Sequence, residues 1–398
     1  MKRLRLISLV GALLLMASLA SCGGEGATTT AAASITSEGA TTTTGAVTST
    51  SEGVSTTASA EPFRVAVLVD GTIDDKSWSN AIADGGARAS SANPNIQIEY
   101  VELLGDPEAL MAQGSAFASE GYDFILIGIG YMYEQALAIA EQFPDVQVCQ
   151  FMHVPTVDEA AAPDNLCWID ITEQTAYFKT GALAALVSQT GHIGALGGQL
   201  FPTLTRGLEA FNLGARCVNP DIQFSQQYVN TWTDTAISKA ATQAMIADGV
   251  DVLLGSIDLA VMGMISAAEE APSQVWIVTS YYDQRSLGPD VILSSAIIGM
   301  EYMVADIIQR AYAGDIGPGE WIQYTAANDP ELQALVYDDV RAMLSAEDLA
   351  TFEDIVARVD SGEITIPATI LDEPGAEYEV GTEGSGATIP LDAIGCGG

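Results

Sequence analysis

The residues best placed for chemistry follow the first strongly apolar segment of the chain, residues 63–69. Asp74 and Asp75 come a few positions later, and Trp78 follows them. Carboxylates in such a loop can accept hydrogen bonds from a bound ligand, or they can cap the helix that begins after them. Neighbouring carboxylates on one loop usually point apart, so this pair is poorly suited to acid–base catalysis. The loop therefore predicts a ligand contact or a helix cap rather than a catalytic centre.

Further aromatic and acidic side chains follow later apolar segments of the chain. Few lysines lie near them, and Arg206 and Arg285 are the only strong cations close to these loops. Loops of this kind suit a neutral polar or ring-bearing ligand better than a phosphate, which would need cationic partners. The candidate ligand-binding residues are Asp74, Asp75, Trp78, Tyr131, Trp232, Asp258, Tyr281 and Asp283.

Signatures of catalysis and of metal or cofactor binding are missing from the predicted strand ends. No Gly-x-Ser-x-Gly motif and no glycine-rich phosphate loop with a lysine follows a predicted strand. The two histidines, His153 and His192, are far apart, and neither lies at a zinc-ligand spacing from cysteines. We expect a protein that is not an enzyme and that uses no cofactor or metal.

The first 61 residues have the composition of a leader and a tether. Basic residues precede the apolar run 6–19, which is too short to cross a membrane and predicts a signal peptide over residues 1–21. Residues 19–22, Leu-Ala-Ser-Cys, resemble a bacterial lipobox, which implies lipidation of Cys22; the alternative is a plain signal peptide cut near Ala20. Residues 22–61 are almost all small, Thr or Glu, which is typical of a disordered tether. We expect a lipid-anchored, extracytoplasmic domain at the cell surface or in the periplasm.

The charge of the chain excludes several partners. The 52 acidic residues outnumber the 14 basic ones, and the formal net charge is −38. Nucleic acid and anionic lipid surfaces are poor partners for such a chain. The acidic residues are spread along the sequence, which is typical of a solvated surface rather than of one site.

Apolar, strand-like runs alternate with helical segments about every 30 residues on both sides of residue 172. This pattern predicts an α/β fold with two doubly wound, Rossmann-like lobes and a ligand cleft between them. We expect lobe 1 to comprise residues 62–171 and 285–317, and lobe 2 to comprise residues 172–284 and 318–371. An amphipathic helix over 345–359 should pack against lobe 2, and residues 372–398 should form a loose tail.

Four cysteines remain after Cys22. Cys149 and Cys167 lie in strand-like segments that could be neighbours, so the pair could form a disulfide across two strands. Cys217 and Cys396 are then the remaining pair. Four free, buried thiols are the alternative.

The sequence resembles the basic membrane protein family of bacterial lipoproteins over about residues 63–368. The resemblance implies a type I periplasmic binding protein fold, in which a hinge joins two lobes that close on the ligand. It also implies a receptor that passes a purine nucleoside to the permease of an ABC importer. It rests on the order and spacing of short motifs, which are residues 71–78 (GTIDDKSW), 143–145 (FPD), 180–185 (TGALAA), 192–198 (HIGALGG), 214–216 (GAR), 219–220 (NP), 232–234 (WTD), 248–252 (DGVDV), 283–284 (DQ) and 361–364 (SGEI).

The resemblance also implies roles for single residues. Asp74 or Asp75 matches the family's acidic loop, and Trp232 matches the aromatic residue with which the second lobe stacks on the base. Three positions depart from the pattern: Ala83 replaces an aromatic residue, Tyr281 an aspartate and Ile298 a lysine. Trp78 or Tyr131 would then supply the first ring, unless Trp78 is a core residue. The alternatives are a solute other than a nucleoside, or a ligand sensor for a signalling partner without transport.

Overall fold

The computed structural model describes residues 61–151, 162–325, 328–329, 332–366 and 389–396. The predicted signal peptide, Cys22 and almost all of the tether lie outside these residues, as does His153. The described chain contains twelve strands. They are β1 (Phe63–Leu68), β2 (Ile96–Val101), β3 (Phe124–Ile127), β4 (Gln147–Phe151), β5 (Leu166–Ile171), β6 (His192–Gly197), β7 (Gln223–Tyr228), β8 (Val252–Ser256), β9 (Trp276–Tyr281), β10 (Ile292–Ile297), β11 (Trp321–Tyr324) and β12 (Gln333–Val336).

Ten α-helices alternate with these strands. Most of them follow a strand directly, as the repeating apolar pattern predicts. They are α1 (Trp78–Ala92), α2 (Pro107–Ser119), α3 (Tyr133–Gln142), α4 (Gln174–Val187), α5 (Pro202–Val218), α6 (Thr235–Ala247), α7 (Val261–Glu269), α8 (Met300–Ala313), α9 (Asp338–Met343) and α10 (Ala346–Asp360).

The strands form two six-stranded sheets, and each sheet defines a lobe. Lobe 1 has the strand order β11-β5-β4-β3-β1-β2, and lobe 2 has the order β12-β10-β9-β8-β6-β7. Every pair is parallel except β10 with β12, which is antiparallel at the edge of its sheet. The predicted α/β fold with two doubly wound lobes is confirmed.

Continuous apolar strands form because both faces of each sheet are covered. In β1, Val65 and Val67 pack with Ile82 of α1, whereas Ala66 and Leu68 pack with Leu110 of α2. A strand that is buried on both sides has no wet face, so its sequence does not alternate between apolar and polar residues.

The predicted lobe boundaries are wrong at two places. Strand β10 was expected in lobe 1 but pairs with β9 of lobe 2, and β11 was expected in lobe 2 but pairs with β5 of lobe 1. Helix α8 packs against α1 and belongs to lobe 1 as expected. The chain therefore crosses between the lobes three times: between β5 and α4, between β10 and α8, and between β11 and β12.

The C-terminal helix lies where the sequence placed it. Helix α10 packs against α4 of lobe 2 and buries Phe352, Ile355 and Val359. The Ser345 hydroxyl accepts a hydrogen bond from the Asp348 N–H at 3.0 Å and caps the helix. The predicted packing of this helix is confirmed.

The expectation of a loose tail is wrong for residues 389–396, while residues 372–388 lie outside the described residues. The Thr365 N–H donates to the Ile394 carbonyl at 3.0 Å, and a disulfide joins Cys396 to Cys217 at the end of α5. A second disulfide joins Cys149 to Cys167, which are opposite each other on β4 and β5. In the part of the chain that the structure describes, no helix has the length and apolar character of a membrane span.

Candidate ligand-binding cleft

A small cavity lies between the lobes at the carboxyl ends of their central strands. Its volume is about 20 Å³, enough for roughly one water molecule. Its polar and aromatic walls come from both lobes. Asp70, Trp78 and Tyr131 belong to lobe 1, and Phe201, Trp232, Asp258 and Tyr281 belong to lobe 2.

Two aromatic rings from different lobes lie nearly parallel at this cavity. Tyr131 follows β3 and Trp232 follows β7; their ring centroids are 6.5 Å apart and their planes differ by 14°. Phe201 is inclined to both rings, at centroid distances of 6.1 and 6.4 Å. The buried indole N–H of Trp232 forms no hydrogen bond of good geometry among the described residues, but it lies close enough to the Tyr131 hydroxyl to oppose the rise in the pKa of Tyr131. The pair thus combines two large apolar faces with an available donor.

Trp78 is both a packed residue and part of the cavity wall. Its side chain is 5% exposed, and its indole N–H donates to the Gly128 carbonyl at 2.7 Å. Its ring meets Phe151 and Tyr281 edge to face, at 6.2 and 5.3 Å. The two sequence-based interpretations of Trp78, core packing and ligand contact, are therefore compatible.

Asp70 lines the cavity, although it was not among the sequence candidates. It directly follows the apolar run over residues 63–69, which contains β1. Its carboxylate accepts a hydrogen bond from the Tyr131 hydroxyl at 2.8 Å. Burial raises the pKa of Asp70 to about 6, against the lowering effect of that hydrogen bond. The signal that could have identified it is its position as the first polar residue after a buried parallel strand.

Asp258 approaches the cavity from lobe 2 and is buried. Its backbone is left-handed, with φ 45°. The Ser77 hydroxyl of lobe 1 donates to its carboxylate at 3.3 Å. Burial, and after it the carboxylates of Asp75 and Asp70, raise the pKa of Asp258 well above its usual value. The fold thus brings Asp258 of lobe 2 to the same region of the cleft as Asp70 and Asp75 of lobe 1, which are far from it in sequence.

Asp75 caps α1 rather than lining the cavity. Its carboxylate accepts three backbone hydrogen bonds, from the N–H groups of Ser77 at 2.7 Å and of Ser79 and Asn80 at 3.1 Å. Burial raises the pKa of Asp75 and these three hydrogen bonds oppose the rise. The geometry corresponds to the helix-cap interpretation of the acidic loop.

Two other sequence candidates lie outside the cavity. Asp74 is exposed. Asp283 is also exposed, and it accepts a hydrogen bond from the Tyr337 hydroxyl at 2.8 Å. Of the eight candidates, the structure brings together Trp78, Tyr131, Trp232, Asp258 and Tyr281.

The two arginines near these loops are engaged elsewhere. Arg206, 1% exposed, pairs with Asp170 at 2.6 Å and so joins α5 to the end of β5 at a crossing between the lobes. Arg285 pairs with Asp339, and its guanidinium lies over the Tyr337 ring at 4.8 Å. Neither arginine lines the cavity.

Direct hydrogen bonds hold the lobes together beside the cavity. The Tyr282 hydroxyl of lobe 2 donates to the Asp84 carboxylate of lobe 1 at 2.6 Å, and the Gln284 amide donates to the Lys76 carbonyl at 2.8 Å. The structure therefore shows a closed arrangement of the two lobes. Among the described residues, no group of His, Cys, Asp or Glu side chains is placed to hold a metal ion.

Known proteins similar in sequence to this chain indicate one family. A family model described as "ABC transporter substrate-binding protein PnrA-like" matches residues 63–368. The chain is 30% identical over 237 residues to Basic membrane protein A2 of Borrelia garinii subsp. bavariensis, covering 58% of this chain and 68% of that protein. It is 26% identical over 329 residues to the CD4+ T-cell-stimulating antigen of Listeria monocytogenes, covering 78% and 89%.

Solved structures show the same fold. An ABC transporter solute-binding protein of Aeropyrum pernix superposes with a TM-score of 0.67 at 19% identity, over 77% of this chain and 94% of that one. A periplasmic solute-binding protein of Actinobacillus succinogenes, solved with bound D-allose, superposes with a TM-score of 0.54 at 14% identity, over 71% and 99%. At these identities the likeness concerns the fold, which is that of the type I periplasmic binding proteins.

Proposed function

Because the chain belongs to the Bmp family of PnrA-like substrate-binding proteins of ABC transporters, we propose that it is a lipid-anchored, extracytoplasmic receptor for a small ring-bearing ligand. The ligand class is purine nucleosides or related compounds. The receptor closes its two lobes on the ligand and presents it to the permease of the importer, without catalysis. The lipobox-like Cys22 and the tether support the anchoring part of the proposal.

The observation that carries the ligand class is the nearly parallel ring pair of Tyr131 and Trp232, one ring from each lobe. Non-bonded carbon atoms pack at about 3.5 to 4.0 Å, so a third ring between two others requires a centroid separation of about 7 to 8 Å. The observed 6.5 Å falls short of this by about 1 Å. A small opening of the lobes would therefore admit a planar ring and bury both of its faces.

The polar groups at the cavity set the orientation of such a ring. The carboxylates of Asp70 and Asp258 can accept hydrogen bonds from N–H groups on its edge, and the Trp232 indole N–H can donate one. Ile298 is fully buried and apolar, and the Tyr281 hydroxyl lies 3.3 Å from the Ser256 hydroxyl. Neither can reproduce the charged ribose contacts of the family pattern, so recognition of the ring should dominate over recognition of a sugar.

Lobe closure follows from where the contacts lie. A ligand that contacts both Tyr131 and Trp232 favours the closed arrangement, because it can contact the second ring only when the lobes are closed. The three crossings between the lobes form the hinge, and the Tyr282–Asp84 and Gln284–Lys76 hydrogen bonds form beside the ligand on closure.

The test is a thermal-shift and calorimetric screen of the chain from residue 61 against nucleosides, bases and sugars. A ligand that binds the folded protein raises Tm in proportion to RT ln(1 + [L]/Kd). Trp232→Ala should weaken binding by about 30-fold or more, roughly 2 kcal/mol, with Tm unchanged. Trp321→Ala is the matched control, because this tryptophan is 39% exposed on the edge strand β11 and does not line the cavity.

Two outcomes would contradict the proposal. The nucleoside assignment fails if no nucleoside or base raises Tm. The ring clamp fails if Trp232→Ala binds normally and melts several degrees lower, because Trp232 would then be a core residue.

A further inference from the structure

The carboxyl groups on the walls of the cavity have no basic side chain beside them in the part of the chain that the structure describes. Asp70 reaches it from lobe 1 and Asp258 from lobe 2. No lysine, arginine or histidine of the described chain lines the cavity. The third acidic group, Asp75, lies close enough to both carboxylates to affect their titration.

These two carboxylates accept hydrogen bonds but have no cationic partner among the described residues to offset their burial. Asp70 accepts from the Tyr131 hydroxyl at 2.8 Å and from the backbone N–H groups of Asp70 and Gly71. Asp258 accepts from the Ser77 hydroxyl at 3.3 Å and from the backbone N–H of Trp78. Neither Asp70 nor Asp258 forms an ion pair with another described residue. A buried carboxylate without a cationic partner is unfavourable unless it is protonated or paired.

The remaining wall is aromatic. Rings of Trp78, Tyr131, Phe201, Trp232 and Tyr281 border the same space. The face of an aromatic ring is the negative end of its quadrupole and attracts cations, and enclosure by several rings is the usual way in which proteins bind organic cations. Rings and carboxylates therefore favour the same sign of ligand charge.

We propose that the ligand carries a positive charge on or next to its ring, so that this receptor selects cationic nitrogen heterocycles, with or without an attached ribose. This proposal rests on the proposed function and narrows its ligand class. A neutral ring would satisfy the stacking but leave the ionised forms of Asp70 and Asp258 without a counter-charge. A cationic ring satisfies both, and it also removes the repulsion that closure creates between Asp258 of lobe 2 and the acidic groups of lobe 1.

The experiment compares matched probes that differ in charge. Calorimetry at pH 7.5 measures Kd of the mature chain for nicotinamide and 1-methylnicotinamide, and for adenosine and 1-methyladenosine. The methylated member of each pair is the cation. We expect the cation to bind at least about 10-fold more tightly in both pairs, which corresponds to about 1.4 kcal/mol.

Variants assign that preference to the carboxylates. In Asp258→Asn the ratio of the two Kd values should fall to threefold or less, and Asp70→Asn should reduce it in the same way. Asp70→Asn also keeps the test valid if Asp258→Asn does not fold. Asp290→Asn is the control and should keep the full ratio, because this exposed carboxylate precedes β10 at the end of the sheet away from the cavity.

Each outcome of these measurements tests a different part of the proposal. Equal or tighter binding of the neutral members overturns the charge preference but leaves the proposed ring receptor in place. A preference for cations that persists unchanged in both variants overturns the assignment to Asp70 and Asp258. Failure of every probe and of every nucleoside and base in the wider screen refutes the proposed function itself, and the charge preference with it.

Discussion

Replacing Asp70 by Asn should make the protein more stable at neutral pH. Burial raises the pKa of Asp70 from 3.8 to about 6 in the folded protein. The folded state therefore holds a proton on Asp70 between about pH 4 and 6, where the unfolded chain has lost it. Over this range the free energy of unfolding falls as pH rises, and above about pH 6 the full loss remains.

The expected gain in the free energy of unfolding follows from the raised pKa of Asp70. About two pKa units correspond to roughly 3 kcal/mol, and the partial exposure of Asp70 reduces the expected value to between about 1 and 3 kcal/mol. Asparagine keeps an oxygen that can accept the hydrogen bond from the Tyr131 hydroxyl, so that contact persists. Asp70→Asn should thus be more stable by this amount at pH 7.5 and equal to the parent below about pH 4.

Urea unfolding of parent and variant at pH 4, 5, 6 and 7.5 measures the prediction. The difference between the two proteins reports Asp70 together with its coupling to Asp75 and Asp258, because the remaining acidic groups titrate in both. Asp290→Asn should show no pH-dependent difference from the parent. The reasoning is refuted if Asp70→Asn is less stable than the parent at pH 7.5, since the ionised carboxylate would then be stabilised by its surroundings.

Two further contacts give predictions with direct readouts. Tyr282→Phe removes the 2.6 Å hydrogen bond to Asp84 between the lobes. Ligand affinity should therefore fall about fivefold, or about 1 kcal/mol, with Tm unchanged. If calorimetry finds the parent affinity, this contact does not favour closure. Cys396→Ser removes the disulfide to Cys217, whose two cysteines are 179 positions apart. The free energy of unfolding should fall by roughly 2 to 4 kcal/mol. An unchanged Tm would contradict this prediction.

Local sequence patterns predicted the elements well, because each element depends on its own residues. The run over 63–69 is apolar because β1 is covered on both faces, and the stripe over 345–359 is apolar because α10 packs on α4. Tyr131 and Trp232 were found because each follows a strand, and the ends of parallel strands meet at one edge of a sheet.

The lobe boundaries could not be read in this way. The residues of β10 and β11 show that each segment can form a strand but do not show which sheet it joins. Their membership is decided by the crossing before α8, where the left-handed Gly299 ends one lobe segment and α8 begins the next. Such a crossing is a property of the whole fold, so the expected boundaries placed the residues of β10 and of β11 in the wrong lobes.

The acidic residues show the same limit at the candidate site. Asp74 and Asp75 were conspicuous as a pair, but one is exposed and the other caps α1. Asp70 and Asp258 are single acidic residues, 188 positions apart by their numbers, and only lobe closure brings them to one cavity. Their proximity is unfavourable in the protein alone, and the proposed cationic ligand would offset it. A ligand of opposite charge does so only when the lobes are closed, and this would make the same two carboxylates responsible for both ligand choice and closure.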